Sequence, residues 1–266
     1  MENGISTLLF RRAVVASAVA LCLVSAAACD RSADEGGAAA APSESVTLPT
    51  CGDTAQTRSA VSYRNETGAT LTGYVLGTGA TGVVLAAQAG DDACSWLAYA
   101  RKLAERGYRV LAGNFVGEGG STYITGGKPS GDVAAAARYL RSAGVANLVL
   151  IGASRGGTAA IVAGGLLTPP VAGVISLSSP EAYAGESALG AAPKLMVPVL
   201  YVVAADDAPF NTAAESLYKA TGEQRRKLVT VPGGFHGEGL LLSGATGTAE
   251  TTAAVDEFLA AYAPPA

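Results

Sequence analysis

Short apolar runs alternate with segments of helical periodicity along most of this 266-residue chain. That alternation restricts the fold more than any single residue does. Arg58 to Arg64 ("RSAVSYR") and Thr70 to Gly77 ("TLTGYVLG") flank the turn residues "NETGA" and predict an antiparallel hairpin. "TGVVLAAQ" is a short, wholly apolar run of the kind found in strands covered on both faces. Trp96, Tyr99, Ala100 and Leu103 then share one helical face, and Gly107 stops that helix. "YRVLAGNF" predicts the next strand. Val133, Ala136, Ala137 and Leu140 mark a second helix, ended by Gly144. "NLVLIG", "VAGVISLSS", "VPVLYVVAA" and "KLVTVPG" follow as strands. "GGTAAIVAGGL" is a helix between the first two, and Val255, Phe258, Leu259 and Tyr262 give a last one. The pattern predicts an α/β fold: a mostly parallel, twisted sheet with helices on both faces and the hairpin at its start. Functional residues should then lie in the loops beyond the carboxyl ends of the strands.

The chain's first 50 residues read differently. Arg11 and Arg12 precede an apolar run to Ala28, the charge and length pattern of a signal peptide over residues 1–28. The paired arginines hint at twin-arginine export. "VSAAACD" resembles a lipoprotein cleavage box, with Cys29 as the residue that would carry the lipid and hold the protein at a membrane. Ala26 stands where such boxes usually carry leucine, and cleavage after Ala28 with free secretion is the alternative. Residues 29–50 are rich in Ala, Gly, Ser and Pro and read as a tether. The folded domain is expected over 51–266. Once Cys22 leaves with the signal and Cys29 is set aside, Cys51 and Cys94 remain, and an exported chain favours a disulfide between them.

Apolar residues make up 49% of the chain and charged ones 15%, ample for a core and unlike a disordered segment. The net charge is −4, and no Lys/Arg-rich run interrupts it, which argues against a nucleic-acid partner. One histidine and two mature cysteines, far apart in sequence, form no metal-ligand cluster, and no cofactor is implied. The sequence carries no signal of oligomeric state.

Gly152-Ala153-Ser154-Arg155-Gly156 sits between a predicted strand and a predicted helix, the context of a nucleophile elbow. A sharp turn exposes the serine hydroxyl, and glycines two residues away on either side avoid collisions. The helix that follows aims its N-terminus at developing negative charge. An ordinary glycine-rich turn is the bland alternative, although the spacing is neither G-x-G-x-x-G nor that of a Walker loop. A serine needs a base, and the chain's one histidine, His236, follows the last predicted strand. An acid must orient it. Asp206 and Asp207 end the preceding strand. Asp207 is assigned the role, Asp206 is left to cap or face solvent, and Glu181 is held in reserve.

From about Thr81 to His236 the sequence resembles the α/β-hydrolase superfamily, in a lidless form like dienelactone hydrolases and carboxylesterases. The stretch "VVLAAQAGDDACSWLAYARKLAERGYRVLAGNFVGEGGS" is similar to that family's third and fourth strands with their loops. Gly117, Gly119 and Ser121 match its G-x-G-x-S ending, "GASRGG" its elbow and "GGFHG" its histidine loop. The resemblance implies a Ser154–His236–Asp207 triad that cleaves ester-like bonds of a small-molecule acyl substrate. It also implies an oxyanion hole built from the backbone N–H of Arg155 and that of Gln88 or Ala89. Ala87-Gln88 replace the family's frequent His-Gly, and Asn114 and Val116 replace its common aspartate and arginine. Peptidase, thioesterase or acyltransferase chemistry would use the same residues, and a non-catalytic envelope lipoprotein is the rival from another class. About 20 residues separate the sixth strand from the next, too few for a lid domain, so an open, shallow site is expected.

Overall fold

The computed structural model describes residues 51 and 59–265. The signal, the tether and Cys29 lie outside the described residues. Eight strands form one sheet in the order β1-β2-β4-β3-β5-β6-β9-β10. They are β1 (Ala60–Arg64), β2 (Thr70–Leu76), β3 (Thr81–Ala86), β4 (Arg109–Gly113), β5 (Asn147–Ala153), β6 (Gly173–Leu177), β9 (Val199–Ala204) and β10 (Arg226–Val231). β1 and β2 form the expected antiparallel hairpin, β2 runs antiparallel to β4, and every later pairing is parallel.

The inner parallel strands β3, β5, β6 and β9 are largely apolar because both their faces are covered, whereas β10 at the edge keeps Arg226, Lys227 and Thr230. On one face, Val84 of β3 and Leu148 and Leu150 of β5 pack with α2 (Pro129–Ser142) and α3 (Arg155–Leu166). On the other, Val83, Leu85, Val149 and Ile151 meet α1 (Leu97–Glu105) and α7 (Thr248–Tyr262). Adjacent residues therefore enter opposite cores, as the two-residue strand period requires. The sheet's burial on both sides is what erased any polar alternation from these sequences.

The connection from β6 to β9 holds no lid domain. It folds into a two-residue ladder, β7 (Ala182–Tyr183) with β8 (Glu186–Ser187), then the short α4 (Ala188–Ala191). Buried Glu186 pins this hairpin to the start of α2, where its carboxylate accepts the Ser130 N–H at 2.9 Å and also the Ser130 hydroxyl. A carboxylate there also complements the helix dipole. Cys51 and Cys94 are joined by a disulfide, with Cα atoms 5.4 Å apart and a sequence separation of 43. A loop of that length stabilises the fold by about 4 kcal/mol in the chain-entropy picture. The bridge ties the start of the described chain to the loop after β3.

Candidate active site

Parallel strands bring their carboxyl ends to one edge, and the loops after β3, β5, β9 and β10 meet there. β5 ends at Ala153 and α3 begins at Arg155, so Ser154 makes the whole turn, with φ 48° and ψ −116°. Such a backbone costs a non-glycine residue about 1–3 kcal/mol. The turn is held by the Ser154 N–H, which donates to Leu177 O of β6 at 2.8 Å, and by the Ser154 carbonyl, which accepts from Gly157 and Thr158. The flanking glycines have a steric reason. A Cβ on Gly152 would lie 2.1 Å from Gly156 O, and one on Gly156 would lie 2.2 Å from Ala86 O. The first turn of α3 is thus pressed against the end of β3, where the loop carrying Gln88 and Ala89 begins.

His236 lies in the loop after β10, and its Nδ1 is 2.9 Å and 3.2 Å from the two carboxylate oxygens of Asp207. Asp207 is buried, whereas its neighbour Asp206 is exposed and contributes its backbone N–H to Gly233 O. With Nδ1 turned to a carboxylate, the imidazole leaves Nε2 as the proton acceptor. The Phe210 ring packs on it with centroids 4.1 Å apart. The histidine loop adjoins the elbow, since a Cβ on Gly237 would lie 3.5 Å from Ala153 Cβ. No hydrogen bond joins Ser154 to His236 among the described residues. Glu181 lines a surface cavity of about 450 Å³ with Pro180, Pro209 and Phe210, and makes no hydrogen bond to His236 among the described residues.

One expectation is narrowed. The Gln88 N–H already donates to Glu238 Oε1 at 3.1 Å. A donor engaged by a buried carboxylate is not presented to a substrate, which leaves the Ala89 N–H as the candidate on this loop, beside that of Arg155. The Arg155 side chain has a task that its sequence position did not signal. It is buried, pairs with both carboxylate oxygens of Glu118 (2.8 Å from Nη2 to Oε2), donates to Gln88 O at 3.0 Å and stacks 4.3 Å over Phe115. It therefore clamps the loop after β3 to the loop after β4.

Glu238, also missed by the sequence reading, is 3% exposed. Burial pushes its carboxyl up to about 7, Asp91 adds to the effect, and hydrogen bonds from Ser95 and Gln88 and the charge of Arg155 oppose it. A carboxyl raised on folding holds a proton that the unfolded chain has released. Its contribution is complete below the unfolded value of 4.5 and is lost as pH rises to about 7. The interval corresponds to roughly 3 kcal/mol. Glu238→Gln keeps the neutral form at every pH. The stability difference between variant and wild type, measured by denaturant unfolding, should shift in the variant's favour by roughly that amount between pH 4.5 and pH 8. A difference that stays flat with pH would refute the assignment.

No family model matches the sequence, and no curated protein matches it either. Solved structures do resemble its fold. An esterase of Pyrococcus furiosus superposes with a TM-score of 0.62 at 16% identity, over 76% of this chain and 90% of its own. An esterase of Rhodococcus sp. gives 0.61 at 16%, over 77% of this chain and 99% of its own. A monoacylglycerol lipase of Paleococcus ferrophilus gives 0.61 at 15%, over 71% and 98%. Likeness at this distance speaks for architecture alone, and the architecture it establishes for this chain is the α/β-hydrolase fold.

Proposed function

We propose that the protein is a serine hydrolase that cleaves carboxylic esters through an acyl-enzyme. Ser154 Oγ attacks the ester carbonyl as His236 Nε2 takes its proton. Asp207 holds the imidazole in that tautomer and stabilises the imidazolium. The backbone N–H groups of Ala89 and Arg155 donate hydrogen bonds to the carbonyl oxygen as negative charge develops on it. His236 returns the proton to the departing alcohol; it then deprotonates a water that attacks the acyl carbonyl and hands that proton to Ser154 Oγ as the acid leaves. The observation that carries this reading is the pairing of the chain's one histidine with a buried aspartate beside a serine in strained backbone. The esterase and lipase neighbours lend it general support. The absence of a lid domain from the β6–β9 connection favours small or extended acyl groups over long lipid tails. We extend the proposal to placement in the cell: a leader over 1–28, a tether over 29–50 and a domain over 51–266, exported and anchored through a lipid on Cys29. The disulfide accords with an oxidising compartment.

A fluorophosphonate tests the chemistry directly. The purified protein should take up one phosphonyl group per chain, and mass spectrometry should map it to the peptide that contains Ser154. An unlabelled protein, or a label on another residue, would overturn the proposal.

A further inference from the structure

Gln88 stands where the hydrolases that this sequence resembles often carry glycine, and all of its polar atoms are engaged. Its N–H donates to Glu238 Oε1 at 3.1 Å, and its Oε1 accepts the Glu238 N–H at 3.1 Å. Its Nε2 donates to Asp91 Oδ2 at 2.8 Å, and its carbonyl accepts from Arg155 Nη2 at 3.0 Å. The two bonds with Glu238 form a reciprocal bracket between loops 150 residues apart in sequence. One loop carries the candidate oxyanion donor Ala89, immediately after Gln88. The other carries His236, two residues before Glu238. Gly237 is built for this bracket. Its φ is +55°, and a Cβ there would lie 2.2 Å from Gln88 Oε1, so a side chain would push the amide off the Glu238 N–H. The acid itself is a costly way to fill buried space. A hydrocarbon of similar size would need no hydrogen-bond partners and no proton.

We infer that Glu238, through this bracket with Gln88, is a positioning residue that holds the Ala89 N–H and His236 in one register for the transition state. The inference rests on the serine-hydrolase reading above. It makes a specific kinetic demand. An oxyanion donor acts on charge that exists only in the transition state, so displacing it should reduce kcat and leave KM nearly unchanged. Removing such a donor costs about 10²–10³-fold, and shifting it should cost roughly 10- to 100-fold.

The test uses p-nitrophenyl butyrate, with rates normalised to sites titrated by a fluorophosphonate. Wild-type turnover that disappears in Ser154→Ala establishes the underlying reading independently of Glu238, and its persistence would refute that reading instead. Glu238→Ala and Glu238→Asp should each lower kcat per titrated site by roughly 10- to 100-fold, with KM within about twofold. Aspartate keeps the carboxyl group but falls one methylene short of Gln88. Glu238→Gln retains the acceptor oxygen and should recover most of the lost rate. A purely structural role predicts another outcome: lower melting temperatures and fewer titrated sites, but unchanged kcat per site. That result, or a Glu238→Asp enzyme as fast as wild type, would overturn the proposal and leave the hydrolase reading standing.

Discussion

Ser154→Ala is expected to abolish ester turnover, with kcat reduced by about 10⁵–10⁶-fold. Without the nucleophile, the imidazole has no proton to take. Only substrate binding and the oxyanion donors remain, and these support a small residual rate over water. The variant should nevertheless fold like wild type. The Ser154 side chain makes no capping bond to α3, so none is lost. A positive φ is open to alanine in this molecule, since Ala184 adopts φ 49°. The two methyl-free positions beside it are another matter. Alanine at Gly152 or Gly156 would drive a Cβ to within about 2.2 Å of backbone oxygen, where no side chain can relax the clash. A thermal melt superimposable on wild type, with ester hydrolysis only marginally above the blank, is the expected pair of results for Ser154→Ala. Turnover surviving at more than about one part in a thousand would sink the nucleophile assignment.

What the sequence disclosed follows from where its information lies. β3 and β5 were legible because a strand between two helical layers must be apolar at every position, and "VVLA" and "LVLI" have no other economical use. The elbow was legible because its steric demands fall on residues two apart in sequence. Asp207 and His236 were legible as polar residues at strand ends, where a parallel sheet gathers its loops. The β7–β8 ladder was not, since two-residue strands carry no period. Neither was α5 (Phe210–Ala220), whose buried residues are only Ala214 and Leu217, too few to trace a face. The roles of Glu118, Gln88 and Glu238 were hidden for a different reason. Each depends on a partner contributed by another strand's loop, as when the Gln88 amide meets the backbone of Glu238. Local patterning encodes such pairs only as an exposed-looking polar residue in a loop. The Arg155 side chain belongs with them: its position in the elbow was visible, but its grip on Glu118 and Gln88 was not.

The two adjacent aspartates provide the sharpest remaining test of the site. Asp207→Asn should lower kcat by about 10⁴-fold. Both oxygens of Asp207 lie within 3.2 Å of His236 Nδ1, so replacing one with an amide nitrogen either sets a donor against the Nδ1 proton or favours the opposite tautomer. In the second case the proton moves to Nε2, and the ring can no longer act as base toward Ser154. The lost negative charge also leaves the imidazolium unsupported in a site where burial magnifies the effect. Packing should survive, because asparagine matches the shape and the backbone bonds of residue 207 to Ala204 and Asn211 do not involve the side chain. Asp206→Asn is the internal control. Asp206 is exposed and its bond to Gly233 uses the backbone N–H, so the change should leave kcat within about twofold. Steady-state kinetics on both variants, each normalised to titrated sites, decides between them. Loss of activity in Asp206→Asn alone would assign the role to Asp206 instead, and near-wild-type rates in both would remove the acid from the mechanism altogether.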